Sequence, residues 1–323
     1  EFDDVEDAGD PAAPADSEAP VADFVDPEPE DEPAGGSVIL GRLLGNEEIF
    51  VFLEITSLSS YALIAMGKDR RALSASFNYL VLGTLGGTAI LIGVGLLLMQ
   101  TGTLNIADLH MRLEGAHAAS KTVLVALAFL TVGSSLKIAL FPLHAWLPNA
   151  YAHAPSVVTA LIAATSTKVS LYVLMRFIFT LFGTAVVFDV FQLQRVLLPL
   201  AVIGMFVGSL VAIYQTNIKR MLAYSSIAHA GYVMVGLVAA AEIGAPAISA
   251  VLFYLLAYTV SNALAFGSLV VMGSRGKEAV HYDDLRGVGR RQSQIILGRP
   301  HLRRQEERVA RQAFERSRDA VAL

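Results

Sequence analysis

Thr131-Val-Gly-Ser-Ser-Leu-Lys-Ile-Ala-Leu-Phe-Pro-Leu-His-Ala-Trp-Leu-Pro148 is the stretch that decides the fold. It places Lys137 deep in an apolar run that starts near residue 122 and contains Pro142 and Pro148. A charge at the centre of a bilayer costs about 2.5–3.5 kcal/mol on insertion scales, so lysines at that depth serve proton or ion paths beside a partner charge. The run is too long for one straight span, and proline removes a helix hydrogen bond and clashes with the preceding turn. A broken helix is therefore predicted, with Gly133-Ser134-Ser135 adding slack before Lys137. Such breaks are tolerated in membranes where the freed backbone is buried in protein or lines a wet cavity.

Outward from this stretch the composition agrees. Of 323 residues, 54% are hydrophobic and 16% charged, against about 25% charged in a soluble globule. An all-α, polytopic membrane bundle follows. Seven apolar segments are predicted to span, at about 45–66, 75–99, 122–148, 156–182, 196–215, 221–241 and 247–272, each judged against the roughly 20 residues a spanning helix needs. The charges gather at the ends: residues 1–36 hold 14 of the 29 acids and no base, and residues 275–323 hold 12 of the 24 Lys and Arg. Residues 1–36 read as a disordered acidic segment, 37–274 as the bundle, and 275–323 as a basic cytoplasmic tail. Residues 1–36 have neither the basic start nor the apolar core of a signal peptide. With no cysteine, disulfides, Cys-ligated clusters and thiol catalysis within the chain are excluded.

Loop charges set the orientation. Lys68, Arg70 and Arg71, then Lys219 and Arg220, then Arg275 and Lys277 all fall on one side of a seven-span bundle. The expected location is the plasma membrane, with the N-terminus outside and the C-terminus cytoplasmic. Gly83-Thr-Leu-Gly-Gly87 and Gly204-Met-Phe-Val-Gly208 fit a small-xxx-small pattern for close helix packing. Trp146 and Tyr151 read as interfacial anchors.

Three ionisable groups lie deep in separate apolar segments: Glu54, Lys137 and Lys168. A lone buried carboxylate becomes neutral, whereas beside a lysine it stays charged. Lys168 sits among Thr165, Ser166, Thr167 and Ser170, polar enough to hold water, and too central to reach either interface easily. His144 and His153 flank the expected break and the turn after it, and His229 begins the sixth span; histidine titrates near neutrality and suits proton transfer. For each histidine a loop or interface hydrogen bond is an equal reading. No dinucleotide fingerprint, Walker sequence or nucleophile elbow is present. No cofactor and no metal site are expected.

Leu136–Ser156, Phe50–Ala65 around Glu54, Gln215–Ser226 and Asp283–Gly289 together resemble the antiporter-like proton-translocating subunits found in Mrp-type cation/proton antiporters and in respiratory complex I. The resemblance covers about residues 47–291. The wording around Glu54, Lys68–Ala72 and Asp283–Gly289 is closer to the D-type component of Mrp antiporters than to the complex I components. The resemblance implies a larger fold of two inverted repeats, a switching Glu54–Lys137 ion pair, Lys168 as the central lysine that passes the proton on, and His153 as the histidine of the turn before it. His229 lies in the family's Tyr-Ser-Ser…His stretch. Where the family continues into further helices, Gln292–Leu323 is basic and polar, so a fragment end or shifted frame is expected there. The leading expectation is the membrane subunit of a multi-subunit cation/proton antiporter, working by a Glu–Lys–Lys relay. The alternatives are a pumping subunit of a complex I-like NADH-quinone oxidoreductase or hydrogenase, and a non-conducting scaffold. Expected partners are other membrane subunits, the lipid bilayer, protons and Na+, and not nucleic acid.

Overall fold

The computed structural model describes residues 49–113, 120–273, 278 and 280–286. The expected acidic segment 1–36 and the tail beyond Arg286, including Gln292–Leu323, lie outside the described residues, as do Arg275 and Lys277.

Among the described residues the regular elements are helical, with one isolated bridge between Asn217 and His281. The helices are α1 (Ile49–Ala65), α2 (Arg70–Thr101), α3 (Ile106–Leu113), α4 (Lys121–Ile138), α5 (Trp146–His153) and α6 (Ser156–Met175). Two π-helical stretches, Arg176–Phe182 and Ala185–Val190, follow α6, and then come α7 (Gln194–Ile213), α8 (Ile218–Ile243) and α9 (Ala245–Met272). Six of these stretches are long and apolar enough to cross a membrane: α2, α4, α6 with the first π-helical stretch after it, α7, α8 and α9. The first expected span, α1, is a shorter apolar helix among the described residues; its 17 residues reach about 26 Å, less than the roughly 30 Å hydrocarbon core.

Local chemistry sets the ends. The Ser120 hydroxyl accepts from Thr122 N at 3.3 Å and starts α4, and the Asn217 side chain accepts from Arg220 N at 3.1 Å and starts α8, as side-chain caps do. Gly102 ends α2 at φ 73.

The predicted break is present, but its cause differs from the expectation. Helix α4 runs uninterrupted through Gly133-Ser134-Ser135 and stops at Ala139, which adopts the left-handed conformation at φ 62. Ala139 N donates to Leu136 O at 3.3 Å and Leu140 N to Ser135 O at 3.0 Å, the paired bonds of a Schellman cap. Alanine there costs roughly 1–2 kcal/mol relative to right-handed backbone. Pro142 lies in the connection, after a cis peptide bond. Pro148 breaks nothing, because it occupies the first turn of α5, where its missing N–H is no loss. Trp146 and Tyr151 are each 1% exposed, so they are core residues rather than interfacial anchors. The Trp146 indole donates to Leu136 O at 2.9 Å across the break and stacks on Tyr79 at 3.9 Å.

Helix α2 packs on α4 and α1, α4 on α6, α5 on α8, α7 on α8, and α9 on α6 and α8. The small residues do two jobs. Gly86 and Gly133 allow α2 and α4 to touch backbone to backbone, since a methyl on Gly133 would lie 2.6 Å from Gly86 O. Gly83 and Gly87 instead leave room for Tyr61 and Glu54 of α1. The apolar windows of α4 and α6 are each 56% buried, those of α7 and α9 only 22%. The two helices that carry Lys137 and Lys168 are thus interior, and the large apolar side chains Phe206, Ile213, Phe253 and Leu264 are exposed on the outer pair.

Candidate proton-relay site

Helix α1 brings Glu54 to Lys137. Glu54 Oε1 lies 2.8 Å from Lys137 Nζ, with the lysine side chain 4% and the glutamate 23% exposed. The ammonium also donates to Ser57 Oγ at 3.0 Å, and Ser57 in turn donates to Leu53 O at 2.7 Å. Glu54 and Ser57 are three residues apart on one helix and share a face. Lys137 is in the last turn of α4, where the helix dipole favours a cation. The Glu54 carboxylate rests directly against Gly87. A paired buried ion tolerates its depth only with such supplementary bonds.

Lys168 is buried on α6 at 7% exposure. Its Nζ donates to Ala163 O at 2.5 Å and lies 4.3 Å above the Tyr258 ring. Among the described residues its partners are a carbonyl and an aromatic face, and no acid is in contact with it. A lysine held this way is kept by a cation–π contact, which is stronger when desolvated. The Tyr258 hydroxyl donates to Ser226 Oγ at 2.9 Å. His229 stacks on Tyr258 at 4.2 Å, and its Nδ1 is 2.5 Å from the Tyr254 hydroxyl. Lys168, Ser226, His229 and Tyr258 line one small cavity together with Thr167 and Ile138.

The two lysine centres are linked through aromatics. Trp146 bonds the carbonyl of Leu136, next to Lys137. Tyr79 stacks on Trp146 and lies 3.4 Å from Ser166 Oγ, two residues before Lys168.

The structure therefore joins Glu54 with Lys137, and Lys168 with His229 through Tyr258. His144 is separate: it sits in the break and stacks on Phe141 at 5.4 Å. His153 ends α5 and lines a polar cleft of about 760 Å³ with Lys68, Asp69, Arg71, Arg220 and Glu278. Burial, then the nearby Arg220 and Arg71, push its imidazole below the usual histidine range, with Asp69 opposing. The basic loops at Lys68–Arg71 and Lys219–Arg220 meet at this cleft, but Lys219 is 1% exposed and is not a free loop charge. Sequence reading missed Ser57, Gly87 and Tyr258. Only Ser57 carried a signal, its spacing from Glu54.

Residues 47–292 match the family described as NADH:quinone oxidoreductase/Mrp antiporter, TM. A relative from Sorangium cellulosum, NADH-quinone oxidoreductase subunit N 1, is 36% identical over 262 residues, covering 79% of this chain and 52% of its own. The chain spans about half the length of the curated relatives it matches. Respiratory complex I from Thermus thermophilus includes a chain similar at TM-score 0.60 and 31% identity, over 76% of this chain and 50% of that one. The Mrp complex from Dietzia sp. DQ12-45-1b includes another, at TM-score 0.61 and 30% identity, over 69% and 40%. The curated relatives are named as NADH-quinone oxidoreductase components, which favours the respiratory reading over the Mrp one.

Proposed function

This chain belongs to the NADH:quinone oxidoreductase/Mrp antiporter transmembrane family, and on that premise we propose that it translocates protons as a membrane subunit of a complex I-like NADH-quinone oxidoreductase. The observation that carries this reading is the buried Glu54–Lys137 pair at 2.8 Å, set at a helix break one helix away from a second buried lysine. When the pair is closed, each charge neutralises the other. When it opens, the uncompensated Lys137 charge acts on Lys168 through a low-dielectric interior, where Coulomb terms are several-fold stronger than in water. Lys168 then releases its proton towards Ser226, His229 and Tyr254. His153, in the polar cleft, takes protons up from the basic end of the bundle, and His144 lines the break between them. Partner membrane subunits and the lipid bilayer complete the assembly, in the plasma membrane with the cleft facing the cytoplasm. In an Mrp-like antiporter the same groups would exchange protons for Na+.

The test is proton pumping by native membrane vesicles driven by NADH, followed with a pH-sensitive dye. Glu54→Gln, Lys137→Met and Lys168→Met each abolish this subunit's pumping while the complex still assembles. Pumping retained in an assembled Lys137→Met or Lys168→Met complex refutes the relay. A scaffold would tolerate the paired Glu54→Gln/Lys137→Met change without loss, because replacing both members of a buried pair is often neutral.

A further inference from the structure

Lys219 is a buried cation that the relay does not use. It is 1% exposed at the start of α8, and donates to Ala154 O at 2.8 Å and to Glu278 Oε2 at 2.5 Å. Glu278 follows α9 in the chain, yet it caps α6. Its Oε1 accepts from Ser156 N at 3.1 Å, and its Oε2 from the Ser156 hydroxyl at 2.7 Å. Ser156 is the first residue of α6, whose preceding residue, Pro155, offers no side-chain cap. A helix start leaves orphan N–H groups and a partial positive charge, both of which a carboxylate satisfies. The same segment holds the start of α8 by backbone: Ile218 N donates to Val280 O at 2.9 Å, and Asn217 bridges His281. Asp284 Oδ2 fixes the strap by accepting from Val280 N and His281 N, at 3.2 and 3.0 Å.

One carboxylate thus ties together the N-termini of two helices, α6 and α8. Lys168 lies 12 residues along α6 from Ser156, and His229 lies 10 residues along α8 from Lys219, about 18 and 15 Å along stiff helices. A shift at the tied ends would be carried along both rods to the cavity that Lys168 and His229 share.

We propose that Glu278 is a positioning residue for the proton step: through Ser156 and Lys219 it sets the register of the Lys168 helix against the His229 helix. This rests on the relay reading above. Burial acts to raise the Glu278 carboxyl, but the bonds from Lys219 and Ser156 outweigh it and hold it below the usual range. The latch is therefore charged and closed at neutral pH.

The experiment measures pumping per assembled complex in native vesicles carrying Glu278→Gln. Glutamine keeps an acceptor for Ser156 N but leaves Lys219 buried without its counter-charge. Pumping is expected to fall by about tenfold or more, in line with the effect of small misplacements at a reacting centre, at unchanged assembly. Lys219→Met/Glu278→Gln, which removes the orphaned charge, regains most of it. Ser156→Ala, which deletes only the hydroxyl bond, gives a partial loss and serves if Glu278→Gln does not assemble. Unchanged pumping per assembled complex in these single variants overturns the proposal, because a merely structural contact would change only the amount of complex. So does a double variant no better than Glu278→Gln. Lys168→Met, measured in parallel, separates the two readings: if it stops pumping while Glu278→Gln does not, the latch alone falls; if it pumps normally, the relay falls first.

Discussion

Gly87→Ala tests the ion pair without touching either charge. A methyl on Gly87 would fall on the Glu54 carboxylate, 2.9 Å from its Cδ and closer still to Oε1. Restoring ordinary contact pushes the carboxylate away by about 1 Å, since carbon and oxygen need some 3.4 Å or more. The Glu54–Lys137 distance of 2.8 Å then becomes about 3.8 Å. At an effective dielectric of about 20, the attraction drops from roughly 5.9 to roughly 4.4 kcal/mol. The difference of about 1.5 kcal/mol is near a tenfold shift towards the open pair. Helix propensity works the other way, because alanine is better than glycine in a helix interior by about 1 kcal/mol, so a loss cannot come from a weakened α2. The assay is dye-detected pumping against NADH oxidation in native vesicles. The expected result is fewer protons pumped per NADH, with oxidation maintained. Gly95→Ala is the control, since its methyl meets nothing within 4 Å. Full pumping by an assembled Gly87→Ala complex would show that the closed pair does not gate the step.

Ser57→Ala removes the second bond to Lys137 Nζ, worth roughly 1.5–3 kcal/mol for a charged donor; it should lower coupling in the same direction, and normal coupling would remove Ser57 from the site. Tyr258→Phe keeps the ring below Lys168, while Tyr258→Leu loses a contact of about 0.5–2 kcal/mol; the leucine variant should pump worse, and equal effects would deny the cation–π seat. His153 should titrate below 6.5 in the folded protein, as isotope-edited NMR of the labelled imidazole would report. Because its folded value is depressed, its contribution to stability is present above 6.5 and is lost as pH falls through the folded value. Arg220→Gln removes the larger of the two arginine charges opposing protonation and should move the midpoint up; a midpoint at or above 6.5 in the unaltered protein contradicts the assignment.

That Glu54, Lys137 and Lys168 lie deep in one bundle was legible from their apolar surroundings. Which lysine Glu54 meets came from the resemblance alone. The break was legible from its prolines, yet it arises at Ala139, whose left-handed backbone no composition rule marks. Tyr258 and Gly87 carried no signal: an aromatic in an apolar helix reads as core, and a glycine in a small-residue pattern reads as packing. Glu278 was hidden by distance along the chain, 122 residues from the serine it caps. Trp146 and Tyr151 misled because amphipathic aromatics suit both an interface and a core whose polar groups need donors.

The corner at Ala139 has a kinetic meaning. Its two cap bonds close the end of α4, the Trp146 indole bonds across it to Leu136 O, and the Tyr79 stack pins Trp146 against α2, so the corner is built as a joint and not a hinge. Under the proposed relay, opening the Glu54–Lys137 contact then needs only rotamer changes at the ends of two long side chains. Rotamer hops take picoseconds to nanoseconds when unhindered, whereas collective helix motions take microseconds to milliseconds. The backbones of the open and closed forms would superimpose, and vibrational spectra of the Glu54 carboxylate would tell them apart where a trace of Cα positions could not.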